Sequence, residues 1–280
     1  MQIDNKQQQQ LINGIAIPPA PQILIDLQAV LNDPECEIAR IAEVITQDIA
    51  ISALVLRTVN SPFFGLLTKV QSIHHAVSLL GMNNTSHIVA GLALRQQMER
   101  SGPNPTHFWD SPLNVAMSMA YLARRFCTLP ADEAYMLGLF HNAGHSLLLQ
   151  KDPQYNDFMD QYYNNPEQPI IHFEQQRYDT DHAILGYYLA RSWGIDHALS
   201  DIIRDHHDPA LLLTGEASQA ASVLSLLKLA EHADKIFWGQ LEDPEWGRVG
   251  HAVNLHLGLS ETDYLELRDE LNELLIAAYS

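Results

Sequence analysis

The sequence is short of cysteine, of positive charge and of long apolar runs, and each shortage excludes a class of protein. Only Cys36 and Cys127 occur in 280 residues, far apart in the chain, which excludes a disulfide framework and points to reduced thiols. Lysine and arginine number 16 against 34 acidic residues, a net charge of −18 at pH 7. So acidic a chain lacks the clustered cations that nucleic acid and anionic membranes require, so neither is an expected partner. It leaves room for a small anionic ligand in a locally positive site. No apolar stretch reaches about 18 residues and no basic, apolar leader opens the chain, so the expected location is the cytoplasm. Sustained period-two alternation is also missing, which removes sheet architectures and leaves an all-α fold.

What is present supports a globular helical protein: 46% of residues are hydrophobic and 18% charged. Residues 1–14, with Gln7 to Gln10, read as a polar lead-in. Ile17-Pro18-Pro19-Ala20-Pro21 is a rigid extended entry, because each proline fixes φ and biases its predecessor away from helix. A helix is expected from Gln22 to Leu31, and Asn32-Asp33-Pro34 reads as the start of the next. In that next helix Ile38, Ile41, Ala42 and Ile45 recur on one face. Asp48 and Ser72 are further N-caps, Gly81 is a stop, and Phe63-Phe64 forms a turn that plugs the core. Ser101-Gly102-Pro103-Asn104-Pro105 divides a first helical lobe, 15–101, from a second, 105–240. In the second lobe Asp132, Asp181 and Asp196 are expected at helix starts, and residues 241–280 form a C-terminal helical extension with an acidic last helix.

The stretch from Leu137 to Leu149 sets polar groups inside a core-like run: His141, Asn142 and His145. Buried polar groups need partners, and His-Asp pairs in such a setting hold divalent cations. Read singly, the chain's other histidines are plainer. His141 and His206 are core histidines, His182 is a solvated or capping first-turn residue, His207 lies at the surface, and His74-His75 occupy a solvated first turn. A fold that brings His141, His182, His206 and His207 together would change all of those readings at once.

Ordered along the chain, several stretches resemble the HDOD family, the HD-related output domains of bacterial signalling proteins. They are Ile17 to Pro21, Gln47-Asp48, Val59-Asn60-Ser61-Pro62-Phe63-Phe64-Gly65 and Ala76-Val77-Ser78-Leu79-Leu80-Gly81 in the first lobe. In the second they are Trp109, Gly138 to Gly144, His182 with Gly186, Trp193-Gly194 and His206-His207. The resemblance implies a two-lobed HD-like fold and a regulatory role in bacterial signal transduction, exerted through protein partners. HDOD domains are similar in fold to HD and HD-GYP phosphohydrolases, whose metals are held by a first His, a His-Asp pair and a later Asp.

Against that pattern the first His falls near Ser111, the pair reads His141-Asn142, and the later acid falls at Glu231 or Asp234. Asparagine and serine bring no charge to offset a divalent ion, so affinity for a hard metal should fall by orders of magnitude. Imidazoles still suit zinc, with His141, His182 and His206 as candidate ligands. The resulting expectation is a non-enzymatic protein with a degenerate HD site, needing no cofactor. Its vestigial or ligand site is His141, Asn142, His182, His206, His207 and Glu231, in a cleft between the lobes open to a small phosphorylated ligand. The alternative is a metal-dependent phosphohydrolase of nucleotides or cyclic dinucleotides with a non-standard ligand set.

Overall fold

Helices are the only regular elements among the described residues of this computed structural model, which are 14–66, 68–100, 110–163, 169–214, 218–239 and 243–279. The first lobe holds α1 (Gln22–Leu31), α2 (Ile38–Thr46), α3 (Ile49–Val59), α4 (Ile73–Leu80) and α5 (Met82–Arg100), with a 3₁₀ turn at Pro62–Phe64. The second runs through α6 (Asp110–Phe126), α7 (Ala131–Phe140), α8 (Gly144–Lys151), α9 (Tyr155–Tyr163), α10 (Ile170–Tyr178), α11 (His182–Ser192), α12 (His197–Asp205), α13 (Ala210–Leu213) and α14 (Gln219–Phe237). Two further helices, α15 (Pro244–Leu257) and α16 (Glu261–Tyr279), pack on α14. The polar lead-in before residue 14, the Ser101–Pro105 boundary and Trp109 lie outside the described residues.

Local chemistry explains most helix limits. Asp48, Ser72 and Asp181 each accept from a backbone N–H three residues on, at 3.0, 3.1 and 2.8 Å. Gly81 ends α4 with φ of +90°, a conformation that side chains resist. Two expected starts differ. Asn32-Asp33-Pro34 forms a turn, and α2 begins only at Ile38 behind the extended Glu37. Asp132 is not a cap: Pro130 holds that position, and the Asp132 carboxylate accepts instead from His87 Nδ1 across the lobes at 2.6 Å.

One hydrophobic core runs through both lobes. Helix α7 is central, packed on α6 behind and on α5 of the first lobe. Phe63 and Phe64 are buried as expected, and Arg124 of α6 holds that turn by donating to the Phe63 carbonyl at 2.9 Å over the Phe64 ring. The proline-rich entry straps the lobes together. Its Pro18 carbonyl accepts from Trp193 Nε1 at 3.0 Å, and its Pro19 carbonyl from Gln97 at 3.3 Å. Close approach elsewhere depends on glycine: a Cβ on Gly144 would fall 2.0 Å from the His182 carbonyl oxygen, so α8 and α11 touch backbone to backbone.

Candidate functional site: a buried histidine cluster

Helix α7 ends at His141, whose ring folds back so that Nδ1 donates to the Gly138 carbonyl at 2.7 Å. Its Nε2 lies 3.5 Å from Glu231 Oε1, beyond good hydrogen-bond geometry. Among the described residues, His141 Nε2 and Asn142 Oδ1 are buried polar atoms without a hydrogen-bond partner. The His141 ring meets His206 edge-on, with centroids 5.5 Å apart.

Around this turn three more imidazoles converge, each anchored at Nδ1. His182 Nδ1 donates to Glu174 at 2.7 Å, His206 Nδ1 to the Ile203 carbonyl at 2.6 Å, and His207 Nδ1 to Glu245 at 3.0 Å. Burial lowers the pKa of all three, so the rings are neutral. A neutral ring that donates through Nδ1 presents a bare lone pair at Nε2. Those lone pairs face one another: His182 Nε2 is 3.0 Å from His207 Nε2 and 3.4 Å from His206 Nε2. Three imidazole nitrogens bound to a tetrahedral zinc at 2.0–2.1 Å would lie about 3.3 Å apart, so the donor set fits such an ion. The separate readings of His182 as solvated and His207 as a surface residue are corrected: the first is fully buried, and the second has a side chain only 10% exposed. Their burial follows from α10 and α15 closing over them.

The groups that aim these rings are ones the sequence did not reveal. Glu174 is fully buried and accepts from the His182 backbone N–H at 2.9 Å, from His182 Nδ1, and from the Tyr155 hydroxyl. Tyr155 in turn accepts from His145 Nδ1, and the His145 ring stacks on His182 at 3.8 Å. Burial pushes the Glu174 carboxyl up, but His182 and His145 outweigh it and hold the group well below the usual carboxylate range. On the other side Lys228 Nζ lies 2.7 Å from Glu245 Oε1 and 2.9 Å from Glu231 Oε2. Burial lowers the Lys228 pKa, the two carboxylates more than compensate, and the amine stays charged.

The position matched to a first metal-binding histidine is closed. Ser111 Oγ donates to Asp234 Oδ2, Asn114 donates to Asp234 Oδ1 at 2.7 Å, and Tyr279 donates to the Asn114 carbonyl at 3.0 Å. Burial raises the Asp234 carboxyl from 3.8 to about 6, despite the hydrogen bonds from Ser111 and Asn114. A raised acid holds its proton longer when folded than when unfolded, so stability falls as pH climbs from about 4 to 6 and the full penalty stands above that. Asp234→Asn is therefore expected to gain about 1–3 kcal/mol at pH 7 and to lose the advantage below pH ~4. Urea titrations across that range check this; a gain that does not change with pH would refute it.

Two openings differ in size and in the elements that line them. Beside the cluster, His206, His207, Lys228, Glu245 and Arg248 line a cleft of about 30 Å³. A larger cavity of about 320 Å³ lies between the lobes and includes none of the cluster residues. The expectation of an inter-lobe cleft lined by the HD remnant is thus corrected: α7 and α12 present their C-terminal ends to the cluster and their N-terminal ends to the cavity.

The two-lobed helical fold with histidines at the α7, α11 and α12 ends defines an HD-related protein. A sequence profile of the HDOD domain matches residues 17–209, and the chain belongs to the HDOD domain family. A curated protein of Treponema pallidum (strain Nichols), called uncharacterized, is 24% identical over 197 residues, covering 69% of this chain. The aligned region spans only 38% of that relative. A crystal structure from Shewanella amazonensis SB2B, of a protein named as a candidate phosphohydrolase, has 22% identity and a TM-score of 0.68, covering 99% of this chain and 97% of that one. Another, from Marinobacter aquaeolei VT8 and named as a candidate signal transduction protein, has 23% identity and a TM-score of 0.68, covering 99% of this chain and 61% of that one. At these identities the likeness establishes the fold alone.

Proposed function

We propose that the chain is a non-catalytic signalling module, acting through protein partners in the cytoplasm, whose HD centre has become a histidine site for a zinc-class ion. The observation that carries this reading is the closure of Asp234 on Ser111 and Asn114, with Asn142 replacing the carboxylate of the pair. Water activation needs a carboxylate free to orient or deprotonate it. Here Asp234 is committed, Glu231 is neutralised by Lys228, and Glu174 faces away on the Nδ1 side of His182. His182, His206 and His207 would hold the ion, Glu174 and Glu245 would fix their tautomers, and the ion would supply a Lewis-acidic centre. The adjacent cleft, at about 30 Å³, is too small for a nucleotide, and Glu245 and Asp208 balance the charges of Lys228 and Arg248 on its lining. Free Cys36 and Cys127 fit a reducing compartment. Among the described residues no helix is long and apolar enough to cross a membrane.

The test is elemental analysis of purified protein together with a panel of phosphomonoesters, phosphodiesters and cyclic dinucleotides supplied with zinc, manganese or magnesium. Binding of about one zinc per chain, lost in His182→Ala, with no turnover, supports the reading. Hydrolysis that disappears with His182→Ala would instead establish the phosphohydrolase alternative.

A further inference from the structure

The inter-lobe cavity has no part in the histidine site, yet it is the larger of the two spaces, at about 320 Å³. That lies at the lower end of the range for small-molecule sites, and sites favour the seams between packed units. Its walls come from both lobes: Leu27 and Ala90 from α1 and α5, and Met136 and Leu199 from α7 and α12. These give an apolar floor. The charged residues on the lining are Glu133, Asp196 and His87. His87 is matched by Asp132 at 2.6 Å, so that pair adds no net positive charge, and the lining is negative. Burial raises the Glu133 carboxyl; His87 opposes the shift, while Asp132 and Asp196 reinforce it, as expected where acids crowd together.

We propose that this cavity is a second ligand site, selective for a compact molecule with an apolar body and a single positive charge, such as a protonated amine. Gln28, Asn83 and Ser86 add uncharged polar groups to the lining, while half-buried Glu133 and, at the exposed mouth, Asp196 repel phosphates and carboxylates. The cleft beside Lys228 and Arg248 has no such negative excess, because Glu245 and Asp208 balance the two cations there. Glu133 lies in the first turn of α7 and Asp196 caps α12 through Ala198 N–H at 2.7 Å, so an occupant would contact the starts of the two helices whose ends carry His141 and His206.

Three probes of matched shape test the site: phenethylamine, 2-phenylethanol and phenylacetate, titrated against the full chain by calorimetry and ligand-observed NMR. Phenethylamine is expected to bind with a dissociation constant on the order of 1 mM or tighter, the alcohol about 5-fold more weakly, and phenylacetate more weakly still. Glu133→Gln and Asp196→Asn, the latter keeping its capping oxygen, should each weaken the amine about 3–10-fold and leave the alcohol unchanged. Ala90→Phe should fill the space and abolish binding of all three; if it fails to fold, the two charge variants decide alone. His182→Ala should leave amine binding intact, which separates this site from the reading of the histidine cluster. Phenylacetate binding as well as the amine, indifference to both charge variants, or no probe binding at about 10 mM would each overturn the assignment.

Discussion

Glu174→Ala is expected to destabilise the protein by about 3–5 kcal/mol and to disorder the His182 ring. The carboxylate satisfies three donors at once: the His182 backbone N–H, His182 Nδ1–H and the Tyr155 hydroxyl. All sit where water is excluded, since Glu174 and His182 are fully buried and Tyr155 is 1% exposed. Truncation leaves these donors without acceptors and opens a void beneath the stacked His145 ring. Glu174→Gln separates volume from chemistry. The amide fills the space and its oxygen can keep both bonds from His182, but its NH₂ then faces the Tyr155 hydroxyl, so a loss of about 1–2 kcal/mol is expected. If the cluster binds zinc, the same amide should weaken it by about 10–100-fold, because the second partner of a ligating imidazole sets its tautomer and basicity. Urea unfolding at pH 7 with zinc titrations reads both effects. A Glu174→Ala protein within about 1 kcal/mol of the parent would show that the carboxylate does not hold the cluster.

Gly144→Ala should be comparably severe for a steric reason. The added Cβ would sit 2.0 Å from the His182 carbonyl oxygen, 2.7 Å from its carbon and 2.8 Å from its Cα. Every one of these atoms is backbone, so no rotamer change relieves the clash and α8 must move off α11. A loss of about 3 kcal/mol or more is expected. Gly91→Ala is the internal control. Its Cβ would meet the Leu139 side-chain terminus at 2.4 Å, and a terminal methyl can swing aside, so about 1 kcal/mol is expected there. Thermal or urea melts of the two variants give the comparison, and equal losses would mean that the α8–α11 approach is looser than the backbone distances imply.

The helices were legible because their limits are set by neighbours in sequence. Asp48, Ser72 and Asp181 cap through bonds spanning three residues, and Gly81 stops α4 by its own backbone. Asp132 misled because its best partner, His87, lies 45 positions away. The same distinction divides the site. His141, His182, His206 and His207 were visible as a recurrent residue type within a recognisable order. Glu174, Tyr155, Lys228 and Glu245 were not, since each is an ordinary surface-type residue until the fold buries it. Glu245 reaches His207 across 38 positions, from a helix beyond the HDOD match at 17–209. The C-terminal helices therefore complete the site, although their sequence, read alone, suggested only an extension.

The proline strap has a consequence for how the chain is made. Pro18 leaves the ribosome well before its partner Trp193, which is 175 residues further on in sequence. At roughly 5–20 residues per second, tens of seconds can separate the two. During that interval the first lobe has α1 and α5 available but neither α7 to pack against nor the indole that ties down its entry segment. Leu24, Leu27 and Ala90, which face the second lobe across the inter-lobe cavity, must wait for that lobe before they are covered. Nascent chains halted between the lobes should accordingly be more sensitive to protease and more dependent on chaperones than chains released whole.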